Sequence, residues 1–171
     1  MILTKERDPR LVTVRRGGSL QDRDHHLLAV WAAACTTHVL HLFEQERPGD
    51  DRPRRAVELT HGWVRGEVKM TESRMAAFAA NAAAREVSGA AREAAHAAGQ
   101  AAAVAHVAAH ELGAAAYAIR AVRAAASADE RDAAGRLECA WQRAQLPDEI
   151  RELVLDDQRL RNNVCWSVFD C

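Results

Sequence analysis

Met75–Ser127 reads MAAFAANAAAREVSGAAREAAHAAGQAAAVAHVAAHELGAAAYAIRAVRAAAS, and this stretch decides the fold. Alanine is the strongest helix former and the smallest side chain that still carries a Cβ. The run therefore specifies helices whose axes approach closely. It is too long for one globular helix, and Ser88-Gly89 and Leu112-Gly113 are the expected breaks, giving two or three antiparallel helices. Arg85, Glu86, Arg92, Glu93, Glu111, Arg120 and Arg123 punctuate it, which excludes a membrane-spanning segment here.

Outward from this core, the helical pattern continues in both directions. Leu28, Trp31, Cys35, Val39 and Leu42 recur at helical spacing, so a helix opening at Ser19 or Asp22 is expected to run to about Arg47. Pro48-Gly49-Asp50-Asp51 stops it. Pro53 suits the start of a second helix with Ala56, Val57, Thr60, Trp63 and Val64 inward. Thr71 is the expected N-cap of the next. Beyond Ser127, Asp129 is expected to cap a helix reaching about Gln145, and Pro147 to start a short acidic one. The tail, with Val164, Trp166, Val168 and Phe169, is expected to dock on the bundle.

The pattern predicts an all-α fold: a single multi-helix bundle with Ala-rich central helices and a short extended N-terminal arm. The arm covers residues 1–20, where Leu11-Val12-Thr13-Val14 is β-prone and Arg15-Arg16-Gly17-Gly18 signals a turn; residues 21–171 form the helical domain.

Composition narrows the function. The chain has 171 residues, room for one domain with a real core. With 23 basic and 24 acidic residues there is no global attraction to nucleic acid or anionic lipid. Lys5 and Lys69 are the only lysines, and this arginine skew with the alanine excess fits a GC-rich bacterial genome. Charged residues follow Met1 where a signal peptide would be apolar, so a cytoplasmic location is expected. There Cys35, Cys139, Cys165 and Cys171, which form no CxxC pair, would stay thiols.

Three groups of residues could carry chemistry or contacts. His96, Gly99, Ala103, His106, His110, Gly113 and Tyr117 fall on one face if the helix is continuous. His106 and His110 at i, i+4 suit a metal ion or polar ligand, but no third ligand is placed and no metal or cofactor is assigned. The commoner role is histidines hydrogen-bonded between helices, with His96, His106, His110 and Tyr117 as ligand candidates. Cys35, His38 and His41 could form a Cys–His pair, although Cys35 belongs to the buried stripe. Asp148, Glu149, Glu152, Asp156 and Asp157 form an acidic segment able to contact a basic partner, where a solvated face is the usual alternative. Arg15-Arg16 and Arg52–Arg55 read as solvated or salt-bridged, since no phosphate loop or nucleic-acid module is present. No reaction-specific catalytic motif appears.

Four stretches together carry a resemblance: Asp8–Gly18 (DPRLVTVRRGG), Leu27–Glu44 (LLAVWAAACTTHVLHLFE), Arg52–Glu58 (RPRRAVE) and Ala105–His110 (AHVAAH). In this order they resemble the immunity protein family of bacterial polymorphic toxin systems, over most of the chain from Asp8 to the tail. The resemblance implies an all-helical, non-enzymatic protein that binds and neutralises a protein toxin, with no catalytic residues to carry over. The rival expectation from the residues alone is a small-molecule or metal-binding helical protein using the histidine face. A third treats Cys165–Cys171 as a modified or exported peptide segment.

Overall fold

The computed structural model describes residues 3, 4 and 6–171; Met1, Ile2 and Lys5 of the arm lie outside the described residues. The chain is 71% helical, far above the roughly 30–35% of an average domain, with no strand among the described residues. The helices are α1 (Asp22–Val39), α2 (His41–Glu46), α3 (Arg52–Val64), α4 (Met70–Ala84), α5 (Gly89–Ala103), α6 (Glu111–Ala125), α7 (Arg131–Ala144) and α8 (Asp148–Arg161).

The Ala-rich run does what its composition dictates. In α5, Ala91, Ala94, Ala95, Ala97, Ala98, Ala101 and Ala102 are all buried, so nearly the whole circumference is covered by neighbours. Such burial is possible only because alanine lets backbones close in. The most extensive packing is α5 against α6 and against α4; α3 packs on α4, α5 and α1, α1 also covers α5 and α6, and α7 packs on α6. The few large side chains, Trp31, Phe43, Leu28, Leu112, Ile119 and Ile150, fill the spaces that small residues leave.

Several boundaries differ from expectation. Ser88-Gly89 is a break, with Ser88 extended and α5 starting at Gly89. Leu112-Gly113 is not: both lie in the first turn of α6, and the interruption falls between Ala103 and Glu111. There Val104, His106 and Val107 are poor helix formers, and Val107 is extended (φ −144°, ψ 106°). His25 Nε2 donates to the Val104 carbonyl at 2.7 Å, satisfying an acceptor at the helix end. Gly113 instead permits close approach, since a Cβ there would lie 2.5 Å from Gln100 Oε1. Thr71 is not the cap of α4; the helix starts at Met70, and the Lys69 N–H is bound by Glu72 Oε2 at 2.8 Å. The cap of α7 is Glu130, one residue after Asp129.

The arm is less extended than Leu11–Val14 suggests. Short 3₁₀ turns at Pro9–Leu11 and Val14–Arg16 flank Val12-Thr13, and one bridge joins Thr13 to Leu20. Leu11 and Leu20 anchor it in the core. The Asp22–Glu46 span is long and apolar enough, by length and composition only, to cross a membrane. Within the bundle it is interrupted at Leu40, and Leu28, Trp31, Cys35 and Val39 are buried.

The cysteine expectation is corrected. Cys139 and Cys171 are joined in a disulfide with a Cα–Cα distance of 6.1 Å, while Cys35 and Cys165 are free and buried. The bundle brings the two together across a separation of 32 residues, which no local spacing reveals.

Candidate functional site

The interruption before α6 divides the histidine line. His96, Gly99 and Ala103 belong to α5, His106 and His110 to the connection, and Gly113 and Tyr117 to α6. The premise of one continuous face therefore fails. His96 Nδ1 donates to Asn81 Oδ1 of α4 at 2.8 Å, and its ring stacks on Tyr117 at 5.0 Å. Asn81 in turn donates to the Ala77 carbonyl at 2.9 Å, so a polar bridge joins α5 to α4 and the ring stack adds α6. His110 Nδ1 donates to Gln100 Oε1 at 2.8 Å, and burial holds its pKa down at about 4. The rings of His106 and His110 lie 5.3 Å apart, but His106 Nδ1 is buried without a partner. Among the described residues no group of three or more His, Cys, Asp or Glu is placed to hold a metal ion.

The Cys35 group is a packing feature. Cys35 is fully buried, and burial, then the Glu138 charge, push its thiol well above the ordinary range. His38 bonds Glu138 Oε2 at 2.7 Å and stacks on Trp141 at 3.8 Å. Glu138 Oε1 accepts from Gln142 Nε2 at 2.9 Å, so this carboxylate ties α1 to α7. His41 is exposed. Cys165 is similarly unreactive, its thiol pushed up to about 12 by burial.

The acidic residues of α8 are largely answered from within the chain. Asp148 pairs with Arg151 at 3.3 Å, Glu149 with Arg23 at 2.5 Å, and Asp156 with both Arg10 and Arg159 at 3.1 Å. Asp157 is not on the surface: it is 3% exposed and paired with the buried Arg161, which also reaches Glu111 at 3.3 Å. Burial, then the Asp157 charge, push the Glu111 carboxyl well above the usual carboxylate range. Only Glu152 is exposed with no ion pair among the described residues. The arginines behave as read: Arg15 pairs with Asp22, Arg52 with Asp50 and Glu86, Arg54 with Glu44 and Arg55 with Glu58.

The residues that sequence reasoning missed are on the tail. Val164, Val168 and Phe169 dock on the core as expected, with Cys165 buried beside them, but Trp166 turns outward and is 44% exposed. Trp166 and Ser167 both adopt left-handed backbone conformations (φ 57° and 53°), which turn the chain so that the indole leaves the core. Arg143 holds the end in place, donating to the carbonyls of Cys171 at 2.7 Å and Phe169 at 2.9 Å. Tyr117 and Arg120, one turn apart on α6, receive the indole: Tyr117 meets it edge-on at 5.1 Å and the Arg120 guanidinium lies 4.0 Å from its centre. Arg120 also pairs with Glu93 at 3.0 Å, and burial raises the Glu93 pKa despite that partner. Beside this cluster opens a cleft of about 480 Å³ lined by Glu93, Arg120, Arg123, Arg131, Trp166 and Val168. The only sequence signal was a tryptophan in an apolar tail, which equally marks a buried anchor.

Fold and site together define an alanine-packed all-α bundle that displays an arginine–aromatic surface. The family model described as an Imm-5 like putative immunity protein matches residues 18–149, most of the chain, and the chain belongs to that family. No curated protein and no solved structure matches it. The matched range includes Tyr117 and Arg120 and ends before Trp166.

Proposed function

We propose that this chain is a non-enzymatic, cytoplasmic immunity protein that binds and neutralises a protein toxin through the surface centred on Trp166. Family membership supplies the immunity role. The observation that carries the surface is the exposed indole held between Tyr117 and Arg120. Trp, Tyr and Arg are the side chains that dominate binding energy at protein interfaces, and a pre-ordered cluster loses little entropy on binding. The acidic α8 is a weaker candidate, because its charges are mostly engaged and exposed pairs contribute only about 0–1 kcal/mol.

The test is co-expression with the toxin of the same strain, scored by growth and by affinity of the purified pair. The wild type protects, and Trp166→Ala and Arg120→Ala each weaken binding by about 2 kcal/mol or more. Protection lost only on changing Asp148, Glu149 and Glu152 would move the interface to α8. No binding to that toxin at all would overturn the immunity reading for it.

A further inference from the structure

His106, whose Nδ1 is buried without a hydrogen-bond partner, opens onto a second cleft, formed where the N-terminal arm crosses α1 and the connection before α6. This cleft has a volume of about 290 Å³, and Arg16, His25, His26, Trp63 and His106 are among its lining residues. A narrow continuation past Thr13, Arg16 and His106 is bounded by Arg7. The size is close to the lower end of pockets that hold small molecules, roughly 300–1,000 Å³.

The charge in this cleft is one-sided. Most carboxylates of the chain are bound to arginines, yet Arg7, Arg16 and Arg74 make no ion pair among the described residues. All three, Arg74 from outside the lining, add to burial in pushing the His106 pKa down, while the Ala103 backbone opposes them. His110 stands behind it on the same connection, and His25 and His26 face the cleft from α1. The acid at the rim, Asp22, is tied to Arg15 at 2.9 Å. His106 Nδ1 is buried without a hydrogen-bond partner, and the ring lines the cleft. Leaving a buried nitrogen unpaired and gathering unpaired cations around it both cost stability in the empty protein, and an anion would offset the second cost.

We propose that this cleft is a binding site for a small molecule bearing a phosphate group, held by Arg7, Arg16 and the His106 ring. A phosphate monoester carries between one and two negative charges near neutral pH and three acceptor oxygens, enough to engage both guanidiniums and an imidazole; a carboxylate offers one charge. Binding favours the imidazolium form of His106, so the ligand raises the pH at which this ring titrates.

The experiment is NMR of the histidine ring resonances in the whole chain, titrated with inorganic phosphate at constant ionic strength. Saturating shifts are expected at His106 and His26, with the His106 titration midpoint moving to higher pH. Arg16→Gln, an exposed position that leaves folding intact, should weaken phosphate binding about tenfold. Arg55→Gln, on a distant surface pair, should leave it unchanged. A response that stays linear in phosphate, one that is the same in Arg16→Gln, or equal saturation by acetate would overturn the proposal.

Discussion

The guanidinium of Arg120 lies 4.0 Å from the centre of the Trp166 ring, joining the middle of α6 to a tail residue 46 positions later. The contact fixes an indole that is 44% exposed, in an orientation set by two consecutive left-handed residues. A side chain in that backbone region crowds the following carbonyl, at a cost of roughly 1–2 kcal/mol per residue. The surface cluster is therefore held against local preference by Arg143, by the buried Val168 and Phe169, and by the Cys139–Cys171 bond.

Ser167→Gly should relieve that strain while leaving Trp166 in place. Glycine adopts φ 53° freely, and the expected gain is about 0.5–1 kcal/mol in urea unfolding. A loss of stability on this change would mean that the left-handed turn is not strained.

Asp156 and Asp157 are neighbours in sequence with opposite burdens. Asp156→Asn removes surface pairs with Arg10 and Arg159 and should cost less than about 1 kcal/mol. Asp157→Asn strips the buried Arg161 of its closest carboxylate and should cost about 3–5 kcal/mol. Denaturant midpoints of the two single variants check this, and equal midpoints would contradict the burial of Asp157.

Gly99 is a packing residue. A Cβ there would fall 2.7 Å from Asn81 Nδ2, whose amide is engaged with His96 and with the Ala77 carbonyl. Gly99→Leu should overpack the α4–α5 contact and cost about 1–3 kcal/mol. An unchanged melting temperature would show that α4 and α5 do not meet at this position.

His110 should make stability depend on pH. Its pKa in the folded protein is about 4, against about 6.5 when unfolded, so the unfolded chain binds more protons between those values. The contribution is present above about pH 6.5 and is lost as pH falls towards 4, amounting to about 3 kcal/mol. Melting curves from neutral to acid pH should fall more steeply for the wild type than for His110→Asn. A slope remains in the variant, because burial also lowers the pKa of His25 and His96.

Breaking the disulfide should release the tail. Cys171→Ser is expected to lower stability by about 2–4 kcal/mol under oxidising conditions and to match the wild type once reductant is added. Alkylation of the unfolded, unreduced protein should modify Cys35 and Cys165 alone, read by mass. Four modified cysteines would show that the bond does not form.

The sequence by itself determined the class of fold and its packing style. Helix propensity and side-chain size are properties of the residues themselves, so Met75–Ser127 could yield only closely approaching helices, and the buried stripe of Leu28, Trp31, Cys35 and Val39 followed from spacing. The resemblance to immunity proteins was likewise legible in α1, α3 and the AHVAAH connection, which the family match covers, while the arm stretch lies outside that match but for Gly18. Tertiary structure decided the rest, because periodicity assigns a face only while a helix is unbroken. The interruption at Val104–Val107 sent His96 and His106 to different neighbours. Asp157 looked like its exposed neighbours until Arg161 and Glu111 enclosed it, and Cys139 met Cys171 only through the docking of the tail. Trp166 belongs to an apolar segment by composition, yet two left-handed residues turn it outward onto Arg120, a contact that depends on long-range packing and has no signature in local spacing.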